Sequence, residues 1–167
     1  MTDPTHHGHS IPQITQELPR LIERMHRRFL DVLRIEMTRH GINDISPVQA
    51  MMLANIGEEE ISVRDLIERG YYLGSNASYN LKNLVDGGYV DRQASERDRR
   101  SARLKVSAKG KTILEALTGL NTTMAEPLLK QESEAHELEA TYRTLRRLER
   151  RWSDSIRFAD NVGDEEF

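Results

Sequence analysis

The apolar residues of this chain change their period in one place. Before Gly87 and after Ser107 they recur every three or four residues, as on one stripe of a helix. Between Tyr89 and Val106 they alternate with polar ones, as half-buried strands do. The two alternating runs are Tyr89-Val90-Asp91-Arg92 and Ala102-Arg103-Leu104-Lys105-Val106, with a polar, arginine-rich tip at Glu96–Ser101 between them. The chain is therefore predicted to be mainly α, with a small antiparallel β-hairpin set among the helices.

The helices around the hairpin differ in length. From Leu18 to His40 the residues Leu18, Leu21, Ile22, Met25, Phe29, Val32, Leu33 and Met37 form one amphipathic stripe, which Gly41 ends. Pro19 suits the first turn of such a helix, or kinks one that begins earlier. Three short helices follow. Ser46-Pro47-Val48-Gln49 supplies an N-cap, a proline at the first helical position and a capping-box glutamine, and Gly57 closes that helix. Ser62-Val63-Arg64-Asp65 repeats the pattern, with a stop at Gly70. Gly74-Ser75 opens the third short helix and Gly87-Gly88 stops it. Beyond the hairpin, Ser107 caps a helix with Ile113, Leu117, Leu120, Met124 and Leu128 on one face, weakened at Gly119 and Pro127. A last helix over 134–158 carries Leu138, Tyr142, Leu145, Leu148, Trp152 and Ile156. The organisation read from this is a disordered leader over 1–12 (with His6, His7 and His9), a long helix over 13–41 and a helix-turn-helix with hairpin over 42–108. C-terminal helices over 109–158 and an acidic tail over 159–167 complete it.

Composition narrows the classes. A hydrophobic share of 37% and a charged share of 31% suit a soluble, helix-rich chain. No apolar run approaches the roughly 18 residues of a membrane span, and no signal-peptide pattern opens the chain. The absence of cysteine excludes a disulfide scaffold, a thiolate zinc site and a cysteine nucleophile, and fits a cytoplasmic address. The net charge of -3 does not point to nucleic acid, but its distribution does. Asp91–Lys111 holds eight basic residues against three acidic ones.

The third short helix would bury Ala77, Leu81, Leu84 and Val85 on one face. Its opposite face presents Ser75, Asn76, Ser78, Tyr79, Asn80 and Lys82, short hydrogen-bonding groups with one aromatic and one cation where an ordinary surface helix carries Glu and Lys. Asn can pair with an adenine edge, Ser with base or phosphate, and Lys with phosphate. Taken alone, this face fits a solvated surface equally well. Arg97, Arg99 and Arg100 at a strand-connecting tip shift the balance, because such arginines can enter a narrow minor groove. Asp98 there suits holding a neighbouring arginine in place. A recognition helix followed at once by this hairpin is the layout of a winged helix.

Glu96-Arg97-Asp98-Arg99-Arg100-Ser101-Ala102-Arg103-Leu104-Lys105-Val106-Ser107-Ala108-Lys109-Gly110 resembles the wing signature of the MarR family of winged helix-turn-helix transcriptional regulators. That signature is Asp-x-Arg at the tip, alternating apolar residues, then Leu-Thr-x-x-Gly, for which this chain reads Val106-Ser107 and Gly110. Leu81, Leu84, Gly88, Tyr89 and Val90 resemble the family's passage from recognition helix to wing, and the chain looks closest to the PetP/LdtR-like group.

The resemblance implies a winged helix-turn-helix with long N- and C-terminal dimerisation helices, acting as a homodimer, in the repressor sense, on an inverted-repeat operator in double-stranded DNA. It makes Arg100 the minor-groove contact, with Arg99 beside it. It also implies a small, often aromatic effector, for which Met25, Arg28, Phe29, Met51, Met52, Tyr71 and Tyr72 are residues of suitable type, each of which fits plain core or interface as well. No cofactor, metal or membrane partner is expected. An enzyme is disfavoured: His26, His40 and His136 are far apart, no phosphate loop or nucleophile elbow is present, and Asp44, Glu58, Glu59 and Glu60 sit where solvated acids normally do. The rival reading is a winged-helix module that binds another protein instead of DNA.

Overall fold

Serines set the start of the first three helices in a computed structural model that describes residues 10–72, 74–94 and 102–163. Helix α1 (Ile11–Arg39) opens behind Ser10, whose amide donates to Gln13 Oε1 at 2.8 Å. Helix α2 (Pro47–Ile56) and helix α3 (Val63–Gly70) carry full capping boxes. The Gln49 amide donates to Ser46 Oγ at 3.2 Å and the Ser46 amide to Gln49 Oε1 at 2.8 Å. At α3 the Asp65 amide donates to Ser62 Oγ at 3.0 Å, and the Ser62 amide to Asp65 Oδ2 at 3.1 Å. Reciprocal bonds of this kind satisfy amides that the first helical turn leaves without partners.

Strand β1 (Ile61–Ser62), helix α4 (Gly74–Asp86), strands β2 (Val90–Ala94) and β3 (Ala102–Val106), and helix α5 (Ala108–Ala125) follow. After a 3-10 turn at Glu126–Leu128 comes helix α6 (Glu132–Gly163). The sheet is antiparallel in the order β1-β3-β2. Val90 pairs with Val106, Asp91 with Lys105 and Ala94 with Ala102, while Ile61 pairs with Leu104. Leu104 and Val106 are buried and Arg103 and Lys105 exposed, which is the predicted alternation.

Four local features differ from the pattern-based expectation. Strand β1 has only two residues, too few for a period to register. Helix α1 begins at Ile11 and keeps Pro19 inside it, so that proline supplies no amide to the turn before it. Helix α5 stops at Ala125 instead of reaching Leu128, because Pro127 disfavours helical backbone just before it and lacks a donor. Helix α6 starts at Glu132 and continues past Phe158 to Gly163.

Two compact units divide the chain, Met1–Leu120 and Asn121–Phe167. The first holds the core. Leu33 and Met37 of α1, Ala50, Met52, Leu53 and Ile56 of α2, Leu66 of α3, and Ala77, Leu81 and Leu84 of α4 are buried together. Tyr89, Val90, Leu104, Val106, Ile113, Leu117 and Leu120 complete it. Six of the ten residues of α2 are buried, and it forms the platform on which α3 and α4 sit. In the second unit, α6 has no buried side chain among its described residues, and Leu138, Tyr142, Trp152, Ile156 and Phe158 are exposed.

Candidate nucleic-acid interface

Burial of Ala77, Leu81 and Leu84 fixes which way α4 faces. Ser75, Asn76, Ser78, Tyr79 and Lys82 are exposed as a result, Tyr79 at 67%, while Asn80 is half-buried. The Asn80 side-chain amide donates to the Asn76 carbonyl at 2.9 Å, one turn back. Lys82 bonds the Asp86 carboxylate one turn on, and that hydrogen bond and charge pairing raise the Lys82 pKa. The face therefore offers neutral donors and acceptors, with its single lysine already engaged by an acid.

The hairpin base is set by a second cluster. Ser107, which follows β3, donates its hydroxyl to the Gly88 carbonyl at 2.7 Å and accepts the Gly110 amide at 3.1 Å. The Ser107 amide donates to the Tyr89 carbonyl at 3.0 Å. A Cβ at Gly110 would lie 2.4 Å from that carbonyl oxygen and 2.6 Å from Val106 Cγ1. Only glycine lets α5 approach the strands this closely.

Lys109 and Asp44 join this base to the loop between α1 and α2. Lys109 Nζ donates to Asp44 Oδ2 at 2.9 Å and to the Gly87 carbonyl at 3.0 Å, and lies 3.9 Å from the Tyr89 ring centroid. The Tyr89 hydroxyl donates to the other Asp44 oxygen. The bonds from Tyr89 and then Lys109 hold the Asp44 carboxyl below the ordinary carboxylate range. Burial, with the Asp44 bond next, raises the Tyr89 phenol, and the Asp44 bond raises the Lys109 ammonium. A depressed carboxyl stabilises the fold above its unfolded pKa, and that contribution is lost as pH falls through the lowered folded value. The raised Lys109 works in the opposite sense: its contribution is present below the unfolded pKa and is lost as pH rises through the folded one. These residues also line a cleft of about 460 Å³ with Gly41, Ile42, Asn43, Thr112 and Ile113.

The expected effector residues are not gathered in that cleft. Met52 is fully buried in the core. Phe29, Met51 and Tyr72 pack against the core from its edge, and Met25, Arg28 and Tyr71 are exposed. Arg97, Asp98, Arg99 and Arg100, expected at the wing tip, lie outside the described residues. His26, His40 and His136 join no metal-binding group; among the described residues no three His, Asp or Glu side chains gather as a metal site requires. No helix among them is long and apolar enough to cross a membrane.

Two contacts join residues that no sequence pattern connects. Asp44 has the sequence setting of an ordinary solvated acid, yet it bonds Lys109, 65 positions away. The side-chain amide of Asn55 donates to the Tyr72 hydroxyl at 2.7 Å across 17 positions. Neither spacing matches a helix or strand period, so no local signal could have paired them.

Residues 43–101 match the model of the MarR family, a span that covers α2 through β2 and enters the connection to β3. The chain is also 46% identical over 142 residues to the exopolysaccharide II synthesis transcriptional activator ExpG of Rhizobium meliloti (strain 1021), covering 85% of this chain and 73% of that protein. The chain belongs to the MarR family. As a MarR-family transcriptional regulator it shares its winged-helix fold with solved relatives. The transcriptional regulator BldR from Sulfolobus solfataricus superposes with a TM-score of 0.65 at 22% identity, over 83% of this chain and 99% of that one. Streptococcus pneumoniae FabT, solved in complex with DNA, gives 0.63 at 26% identity, over 82% and 98%. The Ser107–Gly110 segment of this MarR-family chain now has a physical reading: a cap, an ion-pairing lysine and an obligatory glycine that seat α5 on the hairpin.

Proposed function

We propose that this MarR-family regulator acts as a homodimer that reads an inverted-repeat operator, with α4 in the major groove and Arg97, Arg99 and Arg100 serving the flanking minor groove. The observation that carries the reading is the exposed face of α4, where Ser75, Asn76, Ser78 and Tyr79 stand clear of a helix whose other face is locked into the core. The FabT complex with DNA supports the same use of the fold. The exposed apolar residues Ile14, Leu21 and Met25 of α1, and Tyr142, Trp152 and Ile156 of α6, support dimerisation, because large apolar side chains standing in rows seek a partner surface. A cytoplasmic regulator without catalytic chemistry of its own fits these features.

Two refinements belong to the proposal. Its effect on transcription was expected to be repression; the name of ExpG favours activation, and a reporter fused to the target promoter decides between them by the sign of the change on deletion. Its effector is a small aromatic acid, for which Phe29, Met51 and Tyr72, each half-buried against the core, are the proposed contacts. Such a ligand opposes DNA by favouring a dimer with mis-spaced recognition helices. Titration of phenolic acids is expected to weaken operator binding, and unchanged DNA affinity would count against those ligands. The site itself is tested by footprinting on the region upstream of its own gene. One protected inverted repeat with half-sites about 10–10.5 bp apart is expected. Protection that follows no repeat would contradict the dimeric reading.

A further inference from the structure

The reading end of α4 is preceded by a side-chain hydrogen bond that ties its approach to α2. Ala77 is the first buried residue of α4 among those described, so within the helix Ser75 and Asn76 precede its described core contacts. In a helix-turn-helix the N-terminal residues of the recognition helix are those that reach base edges. Just before the helix, Tyr72 packs at the core edge and carries a hydroxyl that can fix this end further.

We propose that the hydrogen bond from Asn55 to Tyr72 is a latch that positions the base-reading end of α4, making both residues positioning residues for DNA discrimination. The proposal rests on the DNA-reading function above. Asn55 is half-buried on α2, between the buried Leu53 and Ile56. Tyr72 lies two residues before α4 begins, and its hydroxyl accepts the Asn55 amide at 2.7 Å. The turn is built to deliver that hydroxyl. Tyr71 takes a left-handed conformation at φ 50°, and the Tyr72 amide donates back to the Ile67 carbonyl at 3.2 Å. The Tyr72 ring folds over Gly70 so closely that a Cβ there would lie 2.0 Å from its Cε2. Burial raises the phenol pKa, so the hydroxyl stays neutral across the physiological range.

A positioning bond and a merely stabilising one predict different losses. Functional groups must be held within about 0.5 Å of their productive geometry. Phosphate contacts, by contrast, tolerate small shifts and set the salt dependence. Tyr72→Phe keeps the ring and removes only the hydroxyl. It is expected to lower the operator-to-scrambled affinity ratio by roughly 3- to 10-fold, the range of one lost neutral hydrogen bond. Affinity for scrambled DNA and its salt slope should stay as in wild type.

The experiment compares wild type, Tyr72→Phe, Asn55→Ala and the double variant by fluorescence anisotropy on both duplexes, with hydrogen exchange of residues 74–78 measured on the free proteins. Each single variant should lose the same discrimination, the double no more than either, and exchange at 74–78 should quicken in all three. Asn55→Asp should restore discrimination, because a carboxylate accepts from the Tyr72 hydroxyl, and should fail to do so in combination with Tyr72→Phe. A wild-type ratio in both single variants overturns the latch. A lowered melting temperature with an unchanged ratio does the same, since it assigns the bond to stability alone. If wild type does not discriminate, the DNA reading falls instead, and hydrogen exchange decides the latch: unchanged protection at 74–78 in both variants rejects it.

Discussion

Gly110 shows how one residue can govern the geometry of the winged domain. With the Tyr89 carbonyl and Val106 in the space a Cβ would occupy, Gly110→Ala must push α5 from the strands. The expected cost is about 1–3 kcal/mol, the range of overpacking in well-filled interiors, measured as a shift in urea midpoint. On α4, Lys82 is held by Asp86 and so is partly withdrawn from phosphate. Asp86→Asn should release it. Binding to operator and scrambled duplexes should tighten together, and the salt slope should steepen by about one. Asn76→Ala makes the opposite kind of change: it should relax discrimination at one base position by about 1–3 kcal/mol, read from affinities for single-base operator variants. Equal losses on operator and scrambled DNA would contradict that role. Individual types at these positions were legible in the sequence, since Ser75, Asn76 and Tyr79 stand out on a helix wheel. Their engagements were not: Lys82–Asp86 follows the helix spacing that any i,i+4 pair does, yet which lysine contacts survive on DNA depends on that pairing.

At the scale of elements, the capping boxes explain why helix starts could be read so closely. Ser46, Pro47 and Gln49 are a local device with a local signature, and α2 begins at Pro47 as they specify. Ser46→Ala should lower stability by about 1 kcal/mol while leaving the operator-to-scrambled ratio unchanged, a thermal and binding pair of measurements that separates it from the Asn55–Tyr72 latch. Strand β1 escaped notice because two residues cannot display a period, and its existence depends on pairing with Leu104 and Arg103 some forty positions away. The end of α5 departs from the apolar spacing, which continues to Leu128 although Pro127 breaks the backbone. Periodicity reports which face a residue would take, and backbone chemistry decides whether the helix is still there to present it. The half-buried Asn55 illustrates the same limit, since burial by a distant turn leaves no trace in its neighbours.

On the scale of the whole molecule, the apolar rows of α1 and α6 were legible as stripes, but a stripe does not say what it packs on. In the first unit the C-terminal part of α1 buries Leu33 and Met37 in the core, while Ile11, Ile14, Leu21 and Met25 stay exposed. In the second unit α6 leaves Tyr142, Trp152 and Ile156 exposed. A homodimer accounts for both. Trp152→Glu combined with Tyr142→Glu should shift the sedimentation coefficient from dimer to monomer and abolish high-affinity operator binding, because a single recognition helix reads only half a site. A dimer that persists in this variant would place the interface elsewhere.

The central claim, that this MarR-family chain reads DNA sequence through α4, meets its most direct test in anisotropy titrations of the purified protein on its own upstream region beside a scrambled duplex, across a salt series. Tight binding is expected that favours the upstream duplex and falls linearly in log affinity against log salt. Equal affinity for the two duplexes, or none for either, would contradict it.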